Sequence, residues 1–347
     1  MKYSLHFFSG TSESRPREAY RLVTEAALFA DQHEFEAVWT PERHFHPFGG
    51  LYPNPAVLGA GLATITKRLK IRAGSVVPSL HDPLRIVEEW AVVDNLSGGR
   101  AGIAFAAGFH PNDFVLRPEG FSRRHELRWE AVDIVRKLWR GGTIQRVDGA
   151  GKQIDIRVFP KPVQPELPMW MTAGNTPATF EQAGTLGLNV LSSLIGLDVE
   201  RLAKRIEVYH RSLVQHGYDP ATKSVSVMLH TFVGRDFEEV KARVRAPFCN
   251  YLRSHTHLLR SLATSLQGID AAEIDKADLE DLLEMEFQRY LNTNSLMGSL
   301  ESCERMVRRL AEIGVTEVCC LLDFGVPASE VLASLVELDH LRTRTEG

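Results

Sequence analysis

Residues able to move protons near neutral pH are crowded into a few short stretches. Three of them are Glu42-Arg43-His44-Phe45-His46, Ser79-Leu80-His81-Asp82-Pro83 and Gly108-Phe109-His110-Pro111-Asn112-Asp113. An imidazole titrates close to pH 7, so a histidine held against a substrate can accept or return a proton. From the residues alone His44 either does this or caps its loop through its ring nitrogens. His46, His110 and Asp113 are candidates for substrate contact, or ordinary solvated loop residues. Asp82, just ahead of Pro83, reads as a helix cap. Further on, Asn175, Thr176 and Thr179 open a helix, where unpaired amides and the positive helix end favour a phosphate. Plain capping by Asn175 or Thr176 is compatible with that role.

These stretches need a scaffold, and the sequence describes one. Short apolar or β-branched runs alternate with helical periodicity, as when parallel strands are joined by covering helices. Eight strands are expected, at 3–8, 36–39, 69–77, 101–106, 169–173, 189–192, 225–233 and 317–322. No polar linker separates two halves, so the fold class is α/β, a single (β/α)8 TIM barrel spanning 1–347. The chemically interesting stretches all follow strands, where such barrels place their sites. Two insertions interrupt the rhythm: a hairpin within 143–168, after strand four, and a charged helical excursion at 245–297, after strand seven, read as a lid or an interface.

Composition narrows the classes. Apolar residues at 44% and charged residues at 24% suit a large core and argue against disorder. A net charge of −4 without a basic block makes nucleic acid a poor partner. The first sixteen residues are too polar for a signal peptide and no window suits a membrane span, so the expected location is the cytoplasm. Cys249, Cys303, Cys319 and Cys320 lack CxxC spacing and are read as reduced structural thiols.

The run from Glu42 to Phe114 resembles the front half of the bacterial-luciferase-like flavin monooxygenases. The likeness rests on Glu-x-His-Phe after strand two, His-Asp-Pro opening the third helix, Asp94 through Ser97-Gly98-Gly99-Arg100, and Asp113-Phe114 after strand four. It continues more loosely through Ala173-Gly174-Asn175 and Val190-Leu191-Ser192-Ser193, and the last third matches mainly by topology. The wording is most similar to a branch associated with polyketide and nonribosomal-peptide biosynthesis. This resemblance implies a cofactor, FMN, reduced by a separate flavin reductase, with O2 as co-substrate and a flavin hydroperoxide as oxygenating species. It implies that His44 is the active-site histidine beside the flavin ring, and that Ala73-Gly74 is the pair that often carries a non-proline cis peptide under it. The FMN phosphate would lie against Asn175, Thr176 and Thr179, with Gly174 and Ser193 also at the cofactor. One departure stands out: Ala107 replaces an arginine that luciferase offers the phosphate. The substrate would be a small molecule or one tethered to a carrier protein, and the chain a homodimer.

Other readings remain open at this point. A deazaflavin- or flavin-dependent dehydrogenase or reductase would share the same barrel motifs, and so would a flavin-binding protein without catalysis, against which His44 counts. A metal-dependent barrel hydrolase could use His44, His46 and Asp323, but strands five and six end without histidine, leaving too few ligands. No metal is therefore expected. Gly59-x-Gly61 lies inside a helical pattern and lacks the third glycine of a dinucleotide fingerprint.

Overall fold

The computed structural model describes residues 1–8, 16–254 and 276–346. Eight parallel strands close into a barrel: β1 (Lys2–His6), β2 (Ala37–Thr40), β3 (Lys70–Val76), β4 (Ala101–Phe105), β7 (Met169–Thr172), β8 (Asn189–Ser193), β9 (Val225–Gly234) and β11 (Glu317–Leu321). They pair in the order β1-β2-β3-β4-β7-β8-β9-β11, and β11 returns to β1 with His6 opposite Leu321. All eight fall where the sequence places them, with ends shifted by one or two residues. A ninth parallel strand, β10 (Leu296–Ser299), pairs with the far end of β9. It was not anticipated, because four residues behind a polar run carry no periodicity.

The covering helices are α1 (Pro16–Gln32), α2 (Pro55–Ile65), α3 (Pro83–Ser97), α4 (Gly120–Trp139), α5 (Pro177–Thr185), α6 (Val199–Gln215), α7 (Phe237–Ser254), α8 (Lys276–Thr293), α9 (Leu300–Glu312) and α10 (Ala328–Thr345). Their ends follow local chemistry. Asn54 Oδ1 accepts from the Ala56 and Val57 amides at 2.9 and 3.1 Å, and Asp82 Oδ1 accepts from Leu84 at 2.9 Å. Gly98 closes α3 at φ +67°, which a side chain would resist.

The insertions differ in detail from their sequence outline. The hairpin, β5 (Ile144–Val147) against β6 (Gln153–Ile156), is antiparallel and follows α4. Position 245 lies inside α7, so the excursion after β9 begins with a helix at Phe237 and not at 245. Residues 255–275 of the expected lid lie outside the described residues. Cys249, Cys303, Cys319 and Cys320 are unpaired and buried.

Inside the barrel, polar groups are layered. Near the strand starts Arg72 and Glu317 form a buried ion pair at 2.9 Å. Glu317 also accepts from Trp39 Nε1 at 3.2 Å and from Ser226 Oγ at 2.8 Å. The Arg72 guanidinium lies against the rings of Trp39 and Trp170, at 4.9 and 4.4 Å. This layer fills the lower barrel and leaves the strand ends open above it.

Candidate active site

A cavity of about 400 Å³ opens at the carboxyl ends of the strands. Its floor is where His6 of β1 approaches Gly74 of β3 inside the barrel. Gly74 has no room for a side chain: a Cβ there would lie 2.9 Å from His6 Nε2 and 3.1 Å from the Trp39 ring. His6 is fully buried, and burial pushes its pKa down to about 3, so the imidazole is neutral. Its Nδ1 has no hydrogen-bond partner among the described residues, and neither has Ser192 Oγ, at the end of β8. Ser75 and Thr172 hydroxyls bond to one another across β3 and β7. The upper walls are apolar, from Val77, Ala106, Leu191, Ile195 and Met228.

The loop after β2 divides its polar residues between two environments. Phe45 adopts φ +50°, an uncommon left-handed turn for a bulky residue. His44 Nε2 donates to Glu42 Oε1, 3.0 Å away, and His44 is not among the lining residues; Arg43 and Glu42 are. His81, at the start of the loop into α3, meets the same Glu42 oxygen, and the Val77 amide donates to Glu42 Oε2 at 2.7 Å. Burial alone would raise Glu42, but the two histidines outweigh it and hold its pKa below the usual carboxylate value. Burial likewise opposes a charged His81, yet Glu42 lifts its pKa above the ordinary one.

Other expected site residues are distributed as follows. Gly74, Gly174, Ser193 and Asp113 line the cavity. Ala73 is buried in β3 and Ala107 is buried after β4, and neither is among the lining residues. The non-proline cis peptide is Gly74-Ser75, one bond beyond the Ala73-Gly74 pair that the resemblance singles out. Asn175 and Thr176 are exposed and Thr179 half-buried at the start of α5, where Thr176 makes no side-chain cap. Arg205 from α6 donates to the Asn175 carbonyl at 3.0 Å, which puts a cation beside that helix end. His46 accepts from the Phe48 amide at 3.1 Å, and its ring lies 5.2 Å from that of His110. Burial lowers the His110 pKa and raises that of Asp113.

The metal set drawn from His44, His46 and Asp323 does not assemble. Asp323 instead accepts from the Phe8 amide at 2.9 Å and the Tyr52 hydroxyl at 2.8 Å, tying β11 to the loops after β1 and β2. Among the described residues Glu42, His44 and His81 do converge, with ligand-type atoms within 4.8 Å of one another. There each Nε2 addresses a carboxylate oxygen already, so the trio closes on itself as hydrogen bonds.

Sequence reasoning missed Arg43, His6, Ser192 and Arg205. For His6 a signal existed: Ser4 and His6 alternate with Tyr3 and Leu5 along β1, which marks a polar inward face. Nothing comparable gives the direction of a loop arginine.

Known proteins bear on this geometry. The model of the luciferase-like monooxygenase family matches residues 1–317. The oxygenase component of flavin-dependent trigonelline monooxygenase from Acinetobacter baylyi is 25% identical over 346 residues, covering 96% of this chain and 92% of that protein. Among solved structures, the oxygenating constituent of 3,6-diketocamphane monooxygenase from Pseudomonas putida, in complex with FMN, superposes with a TM-score of 0.78 at 18% identity, covering 99% of this chain and 98% of the other. An F420-dependent secondary alcohol dehydrogenase has the same fold, with a TM-score of 0.68 at 19% identity over 96% and 98% of the two chains. By the family match over most of its length, this chain belongs to the luciferase-like monooxygenases and is a flavin-dependent oxidoreductase.

Proposed function

We propose that this enzyme oxygenates an organic substrate using O2 and reduced FMN that a separate reductase delivers. The observation that carries the reading is the cavity floor, where His6 Nδ1 and Ser192 Oγ are buried without partners beside a side-chain-free Gly74. Buried polar atoms are normally satisfied, so a polar-edged flat ligand is the natural complement. FMN fits: apolar walls suit its ring, and the uncapped start of α5 with Arg205 suits its phosphate in place of the arginine that Ala107 lacks.

When bound, reduced FMN supplies the activation of oxygen. The chain supplies the rest. Gly74 and the walls position the ring, and His6, being neutral, can accept or donate a hydrogen bond without adding charge. His44, held by Glu42 in the loop after β2, serves as the proton-transfer group. The excursion 245–297 serves as a cover that keeps bulk water out; in support, Tyr251 of α7 packs on Phe48 of the β2 loop, with ring centres 5.6 Å apart. The substrate fits the class of polyketide or nonribosomal-peptide intermediates, small or carrier-tethered, and the enzyme acts as a homodimer in the cytoplasm.

The test is to bind reduced FMN anaerobically, admit oxygen, and follow reoxidation. The bound cofactor should reoxidise on a different time course from free reduced FMN, NADPH alone should drive no turnover, and His44→Gln should keep cofactor affinity while slowing turnover about a hundredfold. The F420-dependent relative makes a deazaflavin dehydrogenase the second reading. Tight binding of reduced deazaflavin with none of FMN would establish it instead.

A further inference from the structure

We propose that Arg43 is the recognition site for a carboxylate carried by the substrate. This deepens the oxygenase reading, on which it rests for the identity of the cavity as the substrate's. Arg43 lines the cavity and is only 6% exposed, yet its guanidinium makes no ion pair or hydrogen bond among the described residues, and Nε is fully buried without an acceptor. It is held by three aromatic rings, Phe109, Phe48 and Phe8, whose centres lie 4.8, 5.5 and 5.9 Å from its central carbon. Aromatic faces fix the plane of a guanidinium and replace part of its hydration, but they leave its N–H fork unsatisfied. A buried cation lacking a counterion calls for one from the ligand.

The charged and titratable groups around Arg43 say what kind. Asp113, His110 and Tyr251 are the groups it senses, and no Asp113 oxygen comes within ion-pair distance of it. Asp113 Oδ1 is itself buried without a partner, burial raises the pKa of that carboxyl, and with no Asp113 contact on the guanidinium the arginine's N–H fork stays open to a ligand. One guanidinium matches one negative charge, and its planar fork matches a carboxylate in bidentate fashion. A phosphate or phosphonate dianion would carry a second charge into an apolar cavity beside Asp113. A monoanionic carboxylate on an apolar body therefore fits best, with Asp113 left to meet a second polar group.

The experiment uses the protein with and without added FMN and three probes of one shape: phenylacetate, phenylacetamide and benzylphosphonate, with binding read by calorimetry or saturation-transfer NMR. Phenylacetate should bind at least about tenfold more tightly than phenylacetamide, a preference that falls as salt rises. Arg43→Gln should erase the preference, and Arg43→Lys should keep part of it. Equal binding of acid and amide to the wild type overturns the proposal, as does a preference that survives Arg43→Gln; tighter binding of benzylphosphonate overturns the choice of carboxylate. Should Arg43→Gln not fold, the Lys variant and the salt dependence decide. Separate FMN titration keeps the two readings apart: FMN binding without acid preference removes only the Arg43 site, and acid preference without FMN binding removes only the flavin reading.

Discussion

Two histidines of different exposure share one buried carboxylate. Glu42 is almost wholly enclosed, His44 is 10% exposed at its side chain and His81 30%. The pair fixes which nitrogen of each ring faces inward and ties the β2 loop to the start of α3. A measurable pH signature follows. His81 has a raised pKa in the folded protein, so its contribution to stability is complete below the unfolded value of 6.5 and disappears as pH rises through the folded one. Glu42 is depressed, so its contribution is complete above 4.5 and is lost as pH falls. His81→Asn should therefore lower Tm most between about pH 5 and 6, by the equivalent of about 1.5–3 kcal/mol, and less near pH 9. Thermal melts of both proteins across that range check it; a constant difference would mean that the Glu42 contact is absent. The two histidines were visible in the sequence as proton carriers, but their common partner was not. Residue types show what a side chain can do, whereas the turn at Phe45 decides that Arg43 lines the cavity while His44 engages Glu42.

At the scale of the elements, β3 is closely packed at Gly74. Gly74 sits between the His6 and Trp39 rings, both buried. Gly74→Ala should cost about 1–3 kcal/mol of stability through overpacking. Gly174→Ala, whose Cβ meets nothing within 4 Å, should stay within about 0.5 kcal/mol of the wild type. Denaturant titration of the two variants separates the positions. The excursion after β9 is tested by limited proteolysis: a cover is cut within 245–297 in the ligand-free enzyme and protected once FMN and a cavity ligand are bound. Equal cleavage in both states, with loss of a dimer on nicking, would assign it to an interface. The barrel strands were legible because burial on both faces writes most of them as short apolar or β-branched runs. The short β10 has too few residues to show a period, and α7 crosses the place where charge density suggested a boundary, since its amphipathic face continues unbroken from Phe237.

Across the whole molecule, the lower barrel depends on a charge pair at its axis. Arg72→Met would leave Glu317 buried with no cation beside it, held by hydrogen bonds from Ser4, Trp39 and Ser226 and longer ones from Ser224 and Cys319, and should cost about 3–5 kcal/mol. The double variant Arg72→Met with Glu317→Met should recover most of that loss, because well-packed apolar groups can replace a buried ion pair. Equilibrium unfolding of the single and double variants measures it; no recovery would mean that the pair shapes the barrel beyond its charge. The barrel itself is closed by its first and last strands, with Lys2 opposite Glu317 and His6 opposite Leu321. During synthesis at roughly 5–20 residues per second, β1 thus leaves the ribosome about 15–60 s before its second neighbour exists. For that interval one of its backbone edges has no native partner, so the nascent chain presents a strand that other chains or a chaperone can reach until β11 has been made.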